Sequence, residues 1–258
     1  MRRTLSALLL SLIVTALLLG GVALAGKLTR ARLRQQGAHT IRLTDIDFNP
    51  PPGQDRDLFL AELQYEGLAG DEINLLEDKP AVRLVEIFRQ HPRVEEVERV
   101  TIEPNNHVRV RIRYRMPVLA VALDDGVRVI DSHGILLPPS VACEGLPVLR
   151  ETPLPPLVES GNAWADDRML AAAQTAQSLQ AYQDELHLVT ISARDKGAIM
   201  LRTKAGTTVL WGHAPTAESA DEPAAVQKVQ QLQEYCHKFG DLDHPVGGLL
   251  EHDVRKSK

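Results

Sequence analysis

From Leu5 to Ala25 the chain runs 21 residues without a charged side chain. As a helix this run spans about 31 Å at ~1.5 Å per residue, close to the ~30 Å hydrocarbon core of a bilayer. It is too apolar to lie on a surface as an amphipathic helix. The feature divides the chain into a short tail (1–4), a membrane-spanning segment (5–25), a basic connector (26–38) and a remainder that must fold by itself. Ala23-Leu24-Ala25 fits the cleavage pattern of a signal peptide, but the run exceeds the ~7–15 residues of a signal-peptide core, which favours an uncleaved anchor. Arg2 and Arg3 precede the run; Lys27, Arg30, Arg32 and Arg34 follow it. Flanking charge therefore does not orient it, and long domains translocate largely regardless of such charge.

The roughly 220 residues that follow suffice for one or two domains with their own cores. Only 4% of the residues are aromatic, which argues for aliphatic cores and against a surface that stacks sugars or bases. A net charge of -5 gives no reason to expect nucleic acid. Cys143 and Cys236 cannot form a tetrahedral zinc site by themselves, and neither lies in a CxxC pair. Nothing in a chain this long requires a staple, so they read as unpaired.

Thr40–Phe48 puts Ile41 and Leu43 on one strand face, with Ile46 and Phe48 following after a shift, and reads as one short, bulged strand. Asn49-Pro50-Pro51-Pro52-Gly53 ends it. A helix over Asp57–Tyr65 follows, capped by Asp55 or Asp57. Pro80–Gln90 is a helix with Ala81, Leu84, Val85 and Phe88 on one stripe, stopped at His91-Pro92. Val97–Ile102 is a strand and Asn105-Asn106 a turn. Then Val108, Val110, Ile112, Tyr114 and Met116 alternate with Arg109, Arg111, Arg113 and Arg115, so one strand face is core and the other basic and wet. The order strand, helix, helix, strand, strand is complete by about residue 117.

Strands are expected next at Val118–Leu123, Val127–Ile130 and Ile135–Leu137, with turns at Asp124-Asp125-Gly126 and Asp131-Ser132-His133-Gly134. Leu146–Leu157 reads as a surface crossing and Ala163–Leu186 as one helix. Leu188–Ser192, Ala198–Thr203 and Thr207–Leu210 are strands, with Lys204-Ala205-Gly206 turning the last two. Ala224–Phe239 is a helix burying Val226, Val229, Leu232 and Cys236. A strand near Val246–Leu250 closes the sheet, and 255–258 is a polar tail. The fold class is α+β: a transmembrane helix, a β-α-α-β-β domain over 39–117, and a mixed α/β domain with a largely antiparallel sheet over 118–254.

Asp131, Ser132 and His133 are no catalytic triad, because adjacent residues in a turn point apart. Cys236, His237 and His244 do not match a metal site, and HExxH, EF-hand, GxSxG, GxGxxG and P-loop patterns are missing. The reading is a non-enzymatic binding protein without metal, cofactor or small-molecule substrate. Arg109, Arg111, Arg113 and Arg115 form a candidate basic docking face, although a solvated strand face is the favoured account of them. A chain-terminal strand commonly lies at a sheet edge, where free backbone groups invite pairing.

Several stretches, in order, resemble the bacterial FtsQ/DivIB cell-division family. They are Asn74-Leu75-Leu76, His91-Pro92 with Val94 and Val97, and Tyr114-Arg115-Met116-Pro117-Val118. Val129-Ile130-Asp131 with Gly134, Gly145 to Leu149, and Gly206 to Gly212 followed by Lys228 to Leu232 continue the likeness. Asp241-Leu242-Asp243-His244 with Gly247 ends it. Arg93 stands where the family commonly has Trp. The resemblance implies a cytoplasmic N-terminus, one membrane pass, a POTRA domain at 39–117 and an extracytoplasmic β domain at 118–254. It implies a division scaffold that binds FtsB/DivIC-like and FtsL-like proteins. Carried over by position, the edge that accepts a partner strand is His244, Val246, Gly247, Gly248, Leu249 and Leu250. The alternatives are a POTRA-containing protein that handles polypeptides in secretion or outer-membrane assembly, and a secreted enzyme.

Overall fold

The computed structural model describes residues 21, 39–65, 72–124, 126–151, 158–194, 198–243 and 251–256. The expected anchor, apart from Gly21, the connector and the edge residues 244–250 lie outside these. Among the described residues no helix is long and apolar enough to cross a membrane. Contacts divide the chain into two compact units: residues up to Arg89 with Glu96–Ile112, and Gln90–Glu95 with Arg113 onward.

In the first unit, β1 (Thr40–Arg42) pairs antiparallel with β2 (Glu72–Asn74). The single strand expected over 40–48 is in two pieces. A one-turn 3-10 helix at Leu43–Asp45 interrupts it, and Asp47 then bridges Arg109 in parallel. The sequence carried the reason. Leu43 and Ile46 are three residues apart and cannot share one face of a strand, whereas a helical turn buries both fully. Helix α1 (Arg56–Tyr65) starts where the Asp55 carboxylate accepts the Asp57 N–H at 2.7 Å. Helix α2 (Pro80–Arg89) buries Leu84, Ile87 and Phe88, with Ala81 and Val85 only partly covered. Phe48, Phe59 and Phe88 meet at centroid separations of 5.5–6.5 Å, so three of the four phenylalanines form one core.

Strands β3 (Val94–Ile102) and β4 (Val108–Tyr114) pair with each other through a turn at Asn106, whose φ is 63°. Val108 and Val110 are buried as the alternation requires. Met116 is 46% exposed, because the strand ends at Tyr114.

The second unit holds β5 (Leu119–Leu123), β6 (Gly126–Ile130), β7 (Val148–Leu149), α3 (Asp167–Leu179), α4 (Gln183–Leu186), β8 (Leu188–Ala193), β9 (Ile199–Thr203), β10 (Thr208–Gly212), α5 (Ala225–Phe239) and β11 (Glu251–Asp253). They form a sheet ordered β11-β10-β9-β8-β7-β5-β6. Its longer pairings are the antiparallel β5–β6, β8–β9 and β9–β10; β5–β7, β7–β8 and β10–β11 are short and parallel. β7 falls inside the stretch expected as a plain surface crossing. With two residues it is too short to show periodicity.

One face of this sheet, with Val121, Leu149, Ile191, Leu201 and Val209 in register, packs under α3 and α5. Ala172, Ala173 and Ala176 let α3 lie close to it. The other face carries a small second core, Val129, Leu137 and Val141, at its β6 end. The long helix expected over 163–186 begins only at Asp167, capped by Asp166, and breaks into 3-10 geometry at Gln180–Tyr182. In α5, Val226 is 69% exposed and the buried stripe is instead Ala225, Lys228, Val229, Leu232 and Cys236. The stripe lies one residue away from the expected start because a lysine belongs to it.

Candidate partner-binding edge

Strand β11 is the margin of the seven-stranded sheet, paired to β10 through Thr208–Glu251, Val209–His252 and Leu210–Asp253. Val254 N–H donates to Leu210 O. N–H groups alternate sides along a strand, so those of Glu251 and Asp253 point away from β10. The strand closing the sheet therefore includes Glu251–Asp253, beyond the expected 246–250 window. Its period-two signal, His252 and Val254 buried and Glu251 and Asp253 exposed, was present in the sequence.

Three contacts fix this margin. His252 Nε2 donates to Leu242 O at 2.8 Å, and its ring meets that of Tyr235 at 4.3 Å, which ties β11 to α5. Asp243 Oδ1 accepts from both Thr203 Oγ1 and Thr207 Oγ1 at 2.6 Å, pinning the β9–β10 turn. Deepest is an ion pair: Lys228 Nζ lies 2.5 Å from Glu222 Oε1, with side-chain exposures of 0% and 6%. Lys228 Nζ also donates to His213 O and lies 5.0 Å from the Trp211 ring centroid. Glu222 further accepts from His213 N at 2.9 Å and faces His213 Nδ1 at 2.7 Å. Burial opposes ionisation of Glu222, but the Lys228 and His213 hydrogen bonds outweigh it and hold its carboxyl down at about 2. The carboxylate needs Gly212, since a Cβ there would stand 2.0 Å from Glu222 Oε1, and the φ of +91° also disfavours a side chain. Gly212 and Lys228, quoted above for the family likeness, thus meet at one acid. Glu222 itself was missed. Alone in a polar loop, it carries no local mark of its partner.

The other quoted motifs also converge. Asp131 accepts from His133 N (2.9 Å), Ile135 N (2.8 Å) and Arg115 Nη1 (3.0 Å), and Gly134 takes the positive φ of 72° that closes the turn. Of the arginine face, Arg109 pairs with Asp47 at 2.8 Å and Arg113 with Glu95 at 3.3 Å. Arg111 is exposed, and Arg115 is half-buried on Asp131. His244, Val246, Gly247, Gly248, Leu249 and Leu250 lie outside the described residues. Arg93, in the place of the common Trp, is buried near Tyr114; burial raises the Tyr114 phenol well above its usual range, and Arg93 partly counters this. Cys143 is exposed and Cys236 buried, both free, and burial pushes the Cys236 thiol up to about 11. No group of three or more metal-ligating side chains stands among the described residues.

A search among curated proteins finds no match. A family model does match: the C-terminal domain of the cell division protein FtsQ/DivIB, over residues 120–242. That span runs from β5 to the chain just before the edge and contains Asp131, Gly212, Glu222 and Lys228. The match over residues 120–242 supports a place in the FtsQ/DivIB family of cell-division proteins.

Proposed function

We propose that the protein is a non-enzymatic scaffold of the division machinery, anchored by residues 5–25 with its N-terminus cytoplasmic and residues 39–254 extracytoplasmic. In this reading 39–117 is a POTRA-like domain and 118–254 the β domain. Its C-terminal edge captures a strand from a small single-pass partner of the FtsB/DivIC or FtsL kind. The observation that carries the reading is β11, a short margin strand whose outward N–H groups at Glu251 and Asp253 have no backbone partner among the described residues. Strand addition draws on such groups and tolerates side-chain change. The expected residues His244 and Val246–Leu250 immediately precede this strand in the sequence.

The test is co-purification with the tagged full-length chain from native membranes. Recovery of small single-pass coiled-coil proteins and septal peptidoglycan synthases supports the scaffold; secretion or outer-membrane assembly components in their place support polypeptide handling. Glu251→Pro removes an outward donor without touching the β10 ladder and should abolish partner recovery while the domain stays folded. Undiminished recovery would sink strand addition.

A further inference from the structure

On the face of the sheet not covered by α3 and α5, Arg150, Arg202 and Lys204 line one open hollow of about 430 Å³, together with Val189 and Thr190. Thr190 and Arg202 are register partners, so they share this face. None of the three cationic side chains has a hydrogen-bond or ion-pair partner among the described residues. Elsewhere in the chain Arg83, Arg109, Arg113, Arg115, Arg168 and Arg255 each pair with a carboxylate. Glu151, next to Arg150, accepts from Ser192 Oγ and Ala193 N and is not part of the lining. Acidic residues outnumber basic ones 34 to 29, so three converging unpaired cations run against the composition.

The rim of the hollow is tied by hydrogen bonds. It is the turn held from below by Asp243, with Lys204 N donating to His187 O at 3.0 Å and Gly206 N to Thr203 O at 3.1 Å. Gly206, at φ +102°, leaves room for the Arg202 guanidinium, which lies 3.6 Å from where a Cβ would stand. Holding like charges together without counter-ions costs stability, and guanidinium forks match carboxylates in pairs.

We propose that this hollow is a second docking surface, which takes a run of Asp or Glu side chains from an extended acidic segment of a protein partner. The hollow is open, and the spread of the cations from the end of β7 to the β9–β10 turn suits several carboxylates on one chain. The surface lies two strands in from β11 and does not rest on strand addition there.

The test is fluorescence anisotropy of a labelled tetraglutamate peptide with the full-length chain in neutral detergent, with tetraglutamine as control. Tetraglutamate should bind, more weakly as salt rises, and tetraglutamine should not. Arg202→Glu and, separately, Lys204→Glu should weaken binding about tenfold, while Arg109→Glu and Glu251→Pro leave it unchanged. Both reversals are at exposed positions, and circular dichroism checks that the variants remain folded. Absence of binding, or binding that survives Arg202→Glu, overturns the proposal. Equal displacement by inorganic phosphate, or preferential capture of phosphatidylglycerol vesicles through the same residues, also overturns it and assigns the hollow to phosphate-bearing ligands.

Discussion

The two margins of the seven-stranded sheet are built differently. At β6 the chain closes its own edge. Leu137 N–H donates to Val129 O, Leu136 bridges Ile130, and residues 161–163 hydrogen-bond beyond it through Gly161 N and Asn162 O. The Arg115–Asp131 pair locks the turn behind this margin. At β11 three residues pair in parallel with β10, and the margin is held from behind, by Lys228, Glu222 and His252. A sheet edge is a liability unless it is covered or used. One margin is covered with local turn chemistry; the other is braced by buried charge, and its outward N–H groups have no backbone partner among the described residues.

The comparison breaks most readily at the ion pair. Glu222→Ala leaves Lys228 buried without its carboxylate and should cost about 3–5 kcal/mol. Hydrogen exchange should then quicken at 251–254 more than at 129–137; equal quickening at both margins would refute separate bracing. Asp131→Ala is the mirror experiment. It removes the acceptor for two backbone N–H groups and the partner of half-buried Arg115, at about 2–3 kcal/mol. Exchange should quicken at 129–137, with β11 unmoved.

Acid sharpens the contrast. The folded-state carboxyl of Glu222 sits at about 2, below the ~4.3 of an unfolded Glu. The group therefore contributes its full stability above that unfolded value and loses it as pH falls through about 2. The urea midpoint of the wild-type chain should hold from neutrality to about pH 5 and decline below about 4. Glu222→Gln should lack that part of the decline. Smaller still is Gly134→Ala, about 1–2 kcal/mol for a side chain at positive φ, confined to the β6 margin. Smallest is Asp47→Ala: its pair with Arg109 is exposed, so the urea midpoint should move least of all, and not at all in high salt.

How much of this was legible depends on the range of the interactions. The Asp131-Ser132-His133-Gly134 turn was readable because a carboxylate capping its own loop is a local event. The alternation over 108–114 and the hairpins β5–β6 and β9–β10 were readable for the same reason. The α5 stripe was misplaced because Lys228 counts as polar until Glu222, from another segment, is brought to it. The strand at 40–48 was drawn whole because the three-residue step from Leu43 to Ile46 was taken for a bulge. β7 was invisible, since two residues sandwiched between β5 and β8 need no pattern of their own.

Which segments alternate with period two or 3.6, where turns must fall, and the ordered motifs that carry the family likeness can all be read along the chain. Those follow from the covalent geometry of neighbouring residues. That Gly212, Lys228 and Glu222 meet, that one sheet margin is sealed and the other braced from behind, and that Arg150, Arg202 and Lys204 share a hollow emerges only from the folded chain. Such arrangements join residues tens of positions apart, and burial, which gives a charge its cost and its partner its value, exists only once the chain has folded.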